Sequence, residues 1–166
     1  MLQDVTLFSG TVERNILLGD RKIPRERLAE AARIANAERF IEKLPGRYGH
    51  ELRERGSGLS AGERQLLAFS RALAVDPEVF VLDEATANID GETEALIQEA
   101  LERILAGRTA LIVAHRLSTI RRADRIVVLH HGRIREEGTH RELLHKNGLY
   151  KRLHDLEYGG PAGAAG

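Results

Sequence analysis

Gly58 to Glu84 reads GLSAGERQLLAFSRALAVDPEVFVLDE, and this stretch decides the fold. Its first half is a helix with a marked start. Ser60 suits a helix cap, and Leu66, Leu67, Phe69 and Leu73 recur at the spacing that lines one helical face. Asp76-Pro77 ends the helix, because proline cannot continue it. The second half, Val79 to Leu82, is a short apolar run closed by Asp83 and Glu84. Such a run predicts a buried strand of an α/β sheet, with two carboxylates at the sheet edge where ligands collect.

Further elements follow on both sides. Pro24 to Leu44 carries Leu28, Ala31, Ala32, Ala35, Phe40 and Ile41 at helical spacing, which predicts one or two helices ending at Pro45-Gly46. Gly46 to Gly58 is polar and glycine-rich and predicts a loop. A helix is expected from Glu92 to Leu105, a strand from Ala110 to Ala114 and a turn of helix from Leu117 to Arg121. A strand from Arg125 to Leu129, a hairpin or edge strand from Arg133 to Glu136, and helices from His140 to Leu144 and Gly148 to Leu156 complete the order. Strands alternating with helices imply parallel pairing and an α/β class.

The chemistry of two segments points to phosphate. Free amides and the dipole at a helix N-terminus attract anions, glycine permits close backbone approach, and the Ser60 hydroxyl can both cap the helix and donate to an anion. At the strand end, Asp83 suits a hard cation such as Mg²⁺ and Glu84 suits the activation of an attacking water. His115 ends a second apolar strand, where a donor to phosphate would be useful.

Composition narrows the class. The 166 residues are 42% hydrophobic, enough for a core, and Lys plus Arg equals Asp plus Glu at 25 each. That balance gives no bulk attraction to nucleic acid or anionic lipid. The absence of cysteine removes disulfide and thiolate-metal frameworks. No run of about 18 apolar residues occurs, so no membrane-spanning helix is predicted. The six histidines other than His115, including His130 and His131, have no ligand partners at metal spacing and are expected on a solvated surface.

Taken together and in order, these segments resemble the ABC ATPase family. Gln3 in MLQDVTLFSGTVERNI resembles the Q-loop glutamine, and Leu59 to Gln65 (LSAGERQ) the signature. Val79 to Glu84 resembles the Walker B strand, Ala87 to Asp90 the D-loop, and His115 the switch histidine. The resemblance implies ATP and Mg²⁺ as cofactors. It also implies that Gln3 and Asp83 serve the metal, Glu84 polarises water, His115 touches the γ-phosphate and Asp90 lies at the nucleotide interface. Ser60 and Gly62 would bind the γ-phosphate of a nucleotide held by a second domain. DVTLFSGTVERNI and Glu54-Arg55-Gly56 resemble the exporter type, whose partner is a transmembrane domain, which places the chain at the cytoplasmic face of the membrane.

The expected architecture is a partial P-loop NTPase domain over 1–157. A helical signature subdomain covers about 24–76, the rest of the ATPase core 77–157, and a disordered tail 158–166. No Gly-x-x-x-x-Gly-Lys-Ser/Thr occurs in the sequence, so the chain is expected to be a fragment that does not hydrolyse ATP alone. Ala61 and Glu63 stand where the family usually has glycine and glutamine, an expected weakening of the signature. The resemblance therefore favours a heterodimer over a homodimer of nucleotide-binding domains. Two alternatives share these motifs: an ABC ATPase of the DNA repair or chromosome-organising kind, and a non-catalytic dimerisation fragment.

Overall fold

A computed structural model describes residues 5–20, 22–83, 91–114 and 117–159. The chain forms two compact units, Met1–Val113 and Ala114–Gly166.

In the first unit, the two-residue strand β1 (Gly10–Thr11) leads into helix α1 (Val12–Leu17). Thr11 caps α1 by accepting the Arg14 amide at 3.1 Å. Helices α2 (Arg25–Ile34) and α3 (Glu38–Ile41) follow. Their predicted apolar face is confirmed: Leu28, Ala31, Ala32, Ala35, Phe40 and Ile41 are all buried. Between them Asn36 takes a left-handed φ of 57°, a conformation asparagine tolerates better than most residues. Its buried amide donates to the Leu96 carbonyl and the Glu99 carboxylate, both at 3.0 Å, and accepts from Arg103 at 2.9 Å.

The segment predicted as a loop contains one ordered rung. Strand β2 (Glu51–Leu52) pairs antiparallel with β1, and the Val12 amide donates to the His50 carbonyl at 3.0 Å. Two residues are too few for a periodic signal; the buried Leu52 side chain is what holds the rung. A single 3-10 turn over Glu54–Gly56 follows. Gly56 has φ of +66°, and a Cβ there would stand 2.6 Å from Leu7 Cδ1 in the core. We expect Gly56→Ala to cost at least about 1–2 kcal/mol from backbone strain alone, measured as a lower denaturation midpoint with unchanged slope.

Helix α4 (Ala61–Ala74) is the centre of this unit, packed by α1, α2 and the later helix α5 (Gly91–Leu105). Leu66, Leu67, Phe69 and Leu73 are buried as their spacing requires. The buried Ser70 hydroxyl donates to the Leu66 carbonyl at 2.9 Å, so burial leaves no orphan donor. Strands β3 (Val79–Asp83) and β4 (Thr109–Val113) pair in parallel, in register from Val79 with Thr109 to Asp83 with Val113. One face, carrying Phe80 and Leu82, is buried. The other leaves Val79, Val81, Leu111 and Val113 at least half exposed, so the strand expected to be buried is covered on one side only.

Asp76 joins this unit's parts by ion pairs to Arg27 at 3.0 Å and Arg108 at 3.3 Å. The hydrogen bond from Arg27, then that from Arg108, holds its carboxyl below the usual carboxylate range. A carboxylate with a depressed folded pKa adds stability above its unfolded value of about 4, and the addition is lost as pH falls through the folded value. Asp76→Asn should therefore flatten the acid side of the stability profile. Denaturant melts between about pH 6 and pH 3 check this.

In the second unit, helix α6 (Leu117–Ile120) precedes a hairpin of β5 (Ile126–His130) and β6 (Arg133–Gly138). Its two-residue loop, His131-Gly132, has φ of 50° and 70°, the pattern of a type I′ turn whose twist suits a hairpin. Helices α7 (His140–His145) and α8 (Leu149–Tyr158) close the unit over Leu117, Ile126, Val128, Leu143 and Tyr150. Two histidines depart from the expected solvated surface. His140 Nδ1 lies 2.7 Å from the Tyr150 hydroxyl, and His154 stacks within 5.7 Å of the His140 ring, because α7 and α8 pack there. Helix α8 runs two residues beyond the expected Leu156, and the tail from residue 160 lies outside the described residues. No described helix is long and apolar enough to cross a membrane.

Candidate functional site

The N-terminus of α4 is built as its sequence suggests. Ser60 has extended backbone angles (φ −64°, ψ 164°), and its Oγ accepts the Glu63 amide at 3.1 Å. Glu63 in turn accepts the Ser60 amide at 2.8 Å. This reciprocal pair is a capping box, and it uses a lone pair of the Ser60 hydroxyl while leaving its proton free to donate outward. Ser60 and Ala61 are exposed, whereas Gly62 is buried. The amides of Ala61 and Gly62 lie in the first turn, where no intrahelical acceptor exists. The arrangement can therefore receive an anion with one hydroxyl and oriented amides.

Glu63 was missed as a structural residue. Read only as a charge beside a phosphate position, it is a liability; in the fold its carboxylate is engaged by the helix start. The Ser-x-x-Glu pattern of Ser60 to Glu63 carried that signal. Arg64 adds a second tie, donating to the Leu59 carbonyl at 2.6 Å and fixing the approach to the cap.

Asp83 closes β3 and is exposed, opposite Val113 at the C-terminal edge of the parallel pair. No ion pair of Asp83 occurs among the described residues. An exposed carboxylate at a strand end is a hard oxygen donor, and Mg²⁺ is commonly held by one or two carboxylates with waters and phosphate, so the donor chemistry fits that ion. Along the chain Glu84 follows Asp83 directly, and His115 follows Val113 by two residues. Gln3, Glu84, Asp90 and His115 lie outside the described residues. Of the expected site, the structure thus places Ser60, Gly62 and Asp83, at the two ends of one helix–strand unit.

A further element escaped the sequence reading. Asn15 is buried on α1, where its side chain accepts the Phe8 amide at 2.8 Å and donates to the carbonyls of Phe8 (2.8 Å) and Thr11 (3.1 Å). From α4, Arg71 donates to the carbonyls of Asn15 (2.9 Å) and Thr6 (3.0 Å) and lies over the Phe8 ring at 5.7 Å. Burial lowers the Arg71 pKa. These contacts fasten the segment after Gln3 to the helix that begins at Ser60. No local sequence pattern signals such a long-range tie.

A capped helix running into a parallel strand that ends in a carboxylate agrees with the α/β fold of an ABC ATPase. The ABC transporter family model matches residues 1–87. The chain is 52% identical over 158 residues to the uncharacterized ABC transporter ATP-binding protein YknV of Bacillus subtilis (strain 168), covering 95% of this chain and 26% of that protein. It is 49% identical over 159 residues to the ATP-dependent lipid A-core flippase of Chromobacterium violaceum, covering 96% of this chain and 27% of that protein. Among solved structures, it is similar to a bacterial Atm1-family ABC exporter with ATP bound, with a TM-score of 0.82 and 38% identity, over 99% of this chain and 28% of that one. The chain belongs to the ABC transporter family, and its resemblance is to the exporter type. It spans about a quarter of the length of these curated relatives.

Proposed function

We propose that the chain is part of the ATP-binding and ATP-hydrolysing motor of an ABC exporter, working with a transmembrane domain at the cytoplasmic face of the membrane. The observation that carries this reading is the capped start of α4, where the Ser60 hydroxyl oxygen accepts the Glu63 amide and Ser60 and Ala61 are exposed, in the helix that leads to the strand ending at Asp83. Relatives of flippase and exporter description support it. In this reading Ser60 and Gly62 contact the γ-phosphate of an ATP held by a second nucleotide-binding domain. Asp83, with Gln3, holds Mg²⁺, which neutralises phosphate charge when bound. Glu84 orients and polarises the attacking water, His115 donates to the γ-phosphate, and Asp90 lines the domain interface.

Because the sequence contains no Gly-x-x-x-x-Gly-Lys-Ser/Thr, these 166 residues need a phosphate cradle supplied from outside them. The open apolar face of β3 and β4 is consistent with further strands packing there in the complete domain. The isolated chain should then show no micromolar affinity for Mg-ATP by calorimetric titration. Micromolar binding would overturn that part of the reading.

Ala61 and Glu63 lead us to propose an asymmetric pair, in which this chain lends its partner a weaker signature while keeping Glu84 for its own site. The double substitution Ala61→Gly with Glu63→Gln, which restores the usual signature, should change hydrolysis little, since glutamine preserves the capping box. Ser60→Arg should block phosphate approach at one site and remove only part of the activity, with Ser60→Ala as the control for the lost cap. Complete loss of activity in Ser60→Arg would instead indicate a symmetric homodimer.

A further inference from the structure

We propose that the contact between His140 and Tyr150 is a pH-sensitive clasp between α7 and α8, closed while the imidazole is neutral and loosened when it takes up a proton. The contact lies wholly within the second unit and is independent of the ATPase reading. His140 is the first residue of α7, and its Nδ1 lies 2.7 Å from the Tyr150 hydroxyl near the start of α8. The two rings meet edge to face at 82°, with centroids 5.8 Å apart. Tyr150 is buried, and burial raises its pKa, so the phenol keeps its proton near neutral pH. A buried hydroxyl needs a hydrogen-bond partner. Neutral imidazole can offer Nδ1 as the acceptor of the phenol proton, whereas imidazolium carries N–H at both ring positions and only donates. Protonation thus turns the phenol proton away from its partner.

The charges around His140 oppose that protonation. Arg121, just past α6, His154 on α8 and Arg141 on α7 all disfavour a positive imidazole, and the His154 ring centroid is 5.7 Å away. Desolvation first, then Arg121, His154 and Arg141, holds the His140 pKa below the ordinary imidazole value. The positive end of the α7 dipole acts in the same sense. The carboxylates of the surrounding elements are engaged elsewhere. On β6, Glu136 accepts the amides of Leu149 at 2.5 Å and Tyr150 at 3.0 Å, and Glu137 pairs with Arg125 at 2.6 Å. On α7, Glu142 accepts the Thr139 amide at 2.8 Å. On α8, Glu157 accepts the Leu117 amide at 3.0 Å, and Asp155 pairs with Lys151 while lying 3.5 Å from His154 Nδ1. No ion pair of His140 occurs among the described residues. Because the fold favours neutral imidazole, the unfolded chain binds more protons once pH reaches the ordinary imidazole value of about 6.5. The stability of the α7–α8 contact therefore falls as pH drops through that value and levels off below the folded one.

The test uses the complete transporter carrying this sequence. Deuteration of the imidazole C2 position, followed by mass spectrometry from about pH 5 to about pH 8, should show His140 titrating below about 6.5. Amide exchange over residues 150–156, corrected for its intrinsic pH dependence, should rise by about threefold or more between about pH 7.5 and about pH 5.5. Exchange over residues 66–73 of α4 should not. His140→Asn, which keeps an acceptor oxygen and does not titrate, should hold α8 exchange near its neutral-pH value throughout. Tyr150→Phe, which keeps the ring and removes the hydroxyl, should raise α8 exchange already at neutral pH. Titration of His140 at or above the ordinary value, flat α8 exchange across its titration, or an equal rise in α4 would overturn the clasp. So would a full pH response in His140→Asn, or unchanged neutral-pH exchange in Tyr150→Phe. Should neither variant accumulate as folded protein, the C2 deuteration and α8 exchange of the unaltered transporter decide the matter by themselves.

Discussion

Replacing Glu84 by glutamine in the complete transporter is expected to lower ATP turnover by about 10²- to 10⁴-fold while nucleotide still binds. The reason lies in what the substitution preserves. Glutamine has the shape of glutamate and can still hydrogen-bond a water, but its amide does not accept a proton as the carboxylate does. On the proposed roles, the metal contact through Asp83 and the phosphate contacts that the partner domain lends to this site are untouched, so nucleotide binding should be retained and the loss should fall on the chemical step. Phosphate release and equilibrium nucleotide binding, measured on the same protein, separate the two. Turnover close to that of the unaltered protein would mean that Glu84 is not the water-activating group.

The second large effect is structural. Asn15→Ala should lower the stability of the first unit by about 3 kcal/mol, because three hydrogen bonds vanish and the Phe8 amide and carbonyl lose their partner. Arg71, whose head group also approaches Asn15 Oδ1 at 3.4 Å, loses an acceptor at the same time. Combined with Arg71→Ala, the loss should fall well short of the sum of the single losses, since both side chains hold the same Thr6–Asn15 segment. Denaturant melts of the two single variants and the double variant provide the check. Strict additivity would show that the two residues act independently.

The parts of the fold that came directly from the sequence are those with a repeating signal. Helix α4 announced itself through Leu66, Leu67, Phe69 and Leu73, and β3 through an apolar run ended by Asp83. A hairpin or edge strand was expected over Arg133 to Glu136, and the structure forms a hairpin there with its turn at His131-Gly132. Elements that depend on distant partners were not foreseen. The β1–β2 rung has two residues on each side and no period to read. Asn15 and Asn36 resemble ordinary surface asparagines in sequence, yet each is buried and spends its amide on backbone or side-chain groups from other segments. At the site, Ser60 as cap was legible because capping is local. The carboxylates that brace α6 and α8, Glu157 and Glu136, act across 40 and 13 residues, beyond the reach of any local pattern.

Glu63 shows how a local rule and a family expectation compete for one residue. Against the usual glutamine it reads as a defect near phosphate. Against the capping rule it reads as the natural partner of Ser60, and its 2.8 Å bond to the Ser60 amide supports the second reading for the helix itself.

We propose that these residues belong to a Mg²⁺-dependent ATPase motor. The most direct test is phosphate release by the purified complete transporter in lipid, at saturating ATP, with Mg²⁺ and again after chelation. We expect steady turnover with Mg²⁺ that stops on chelation and falls in Asp83→Asn, whose amide is a poorer ligand for a hard cation. Turnover that survives chelation, or no turnover at all in the unaltered transporter, would contradict the claim.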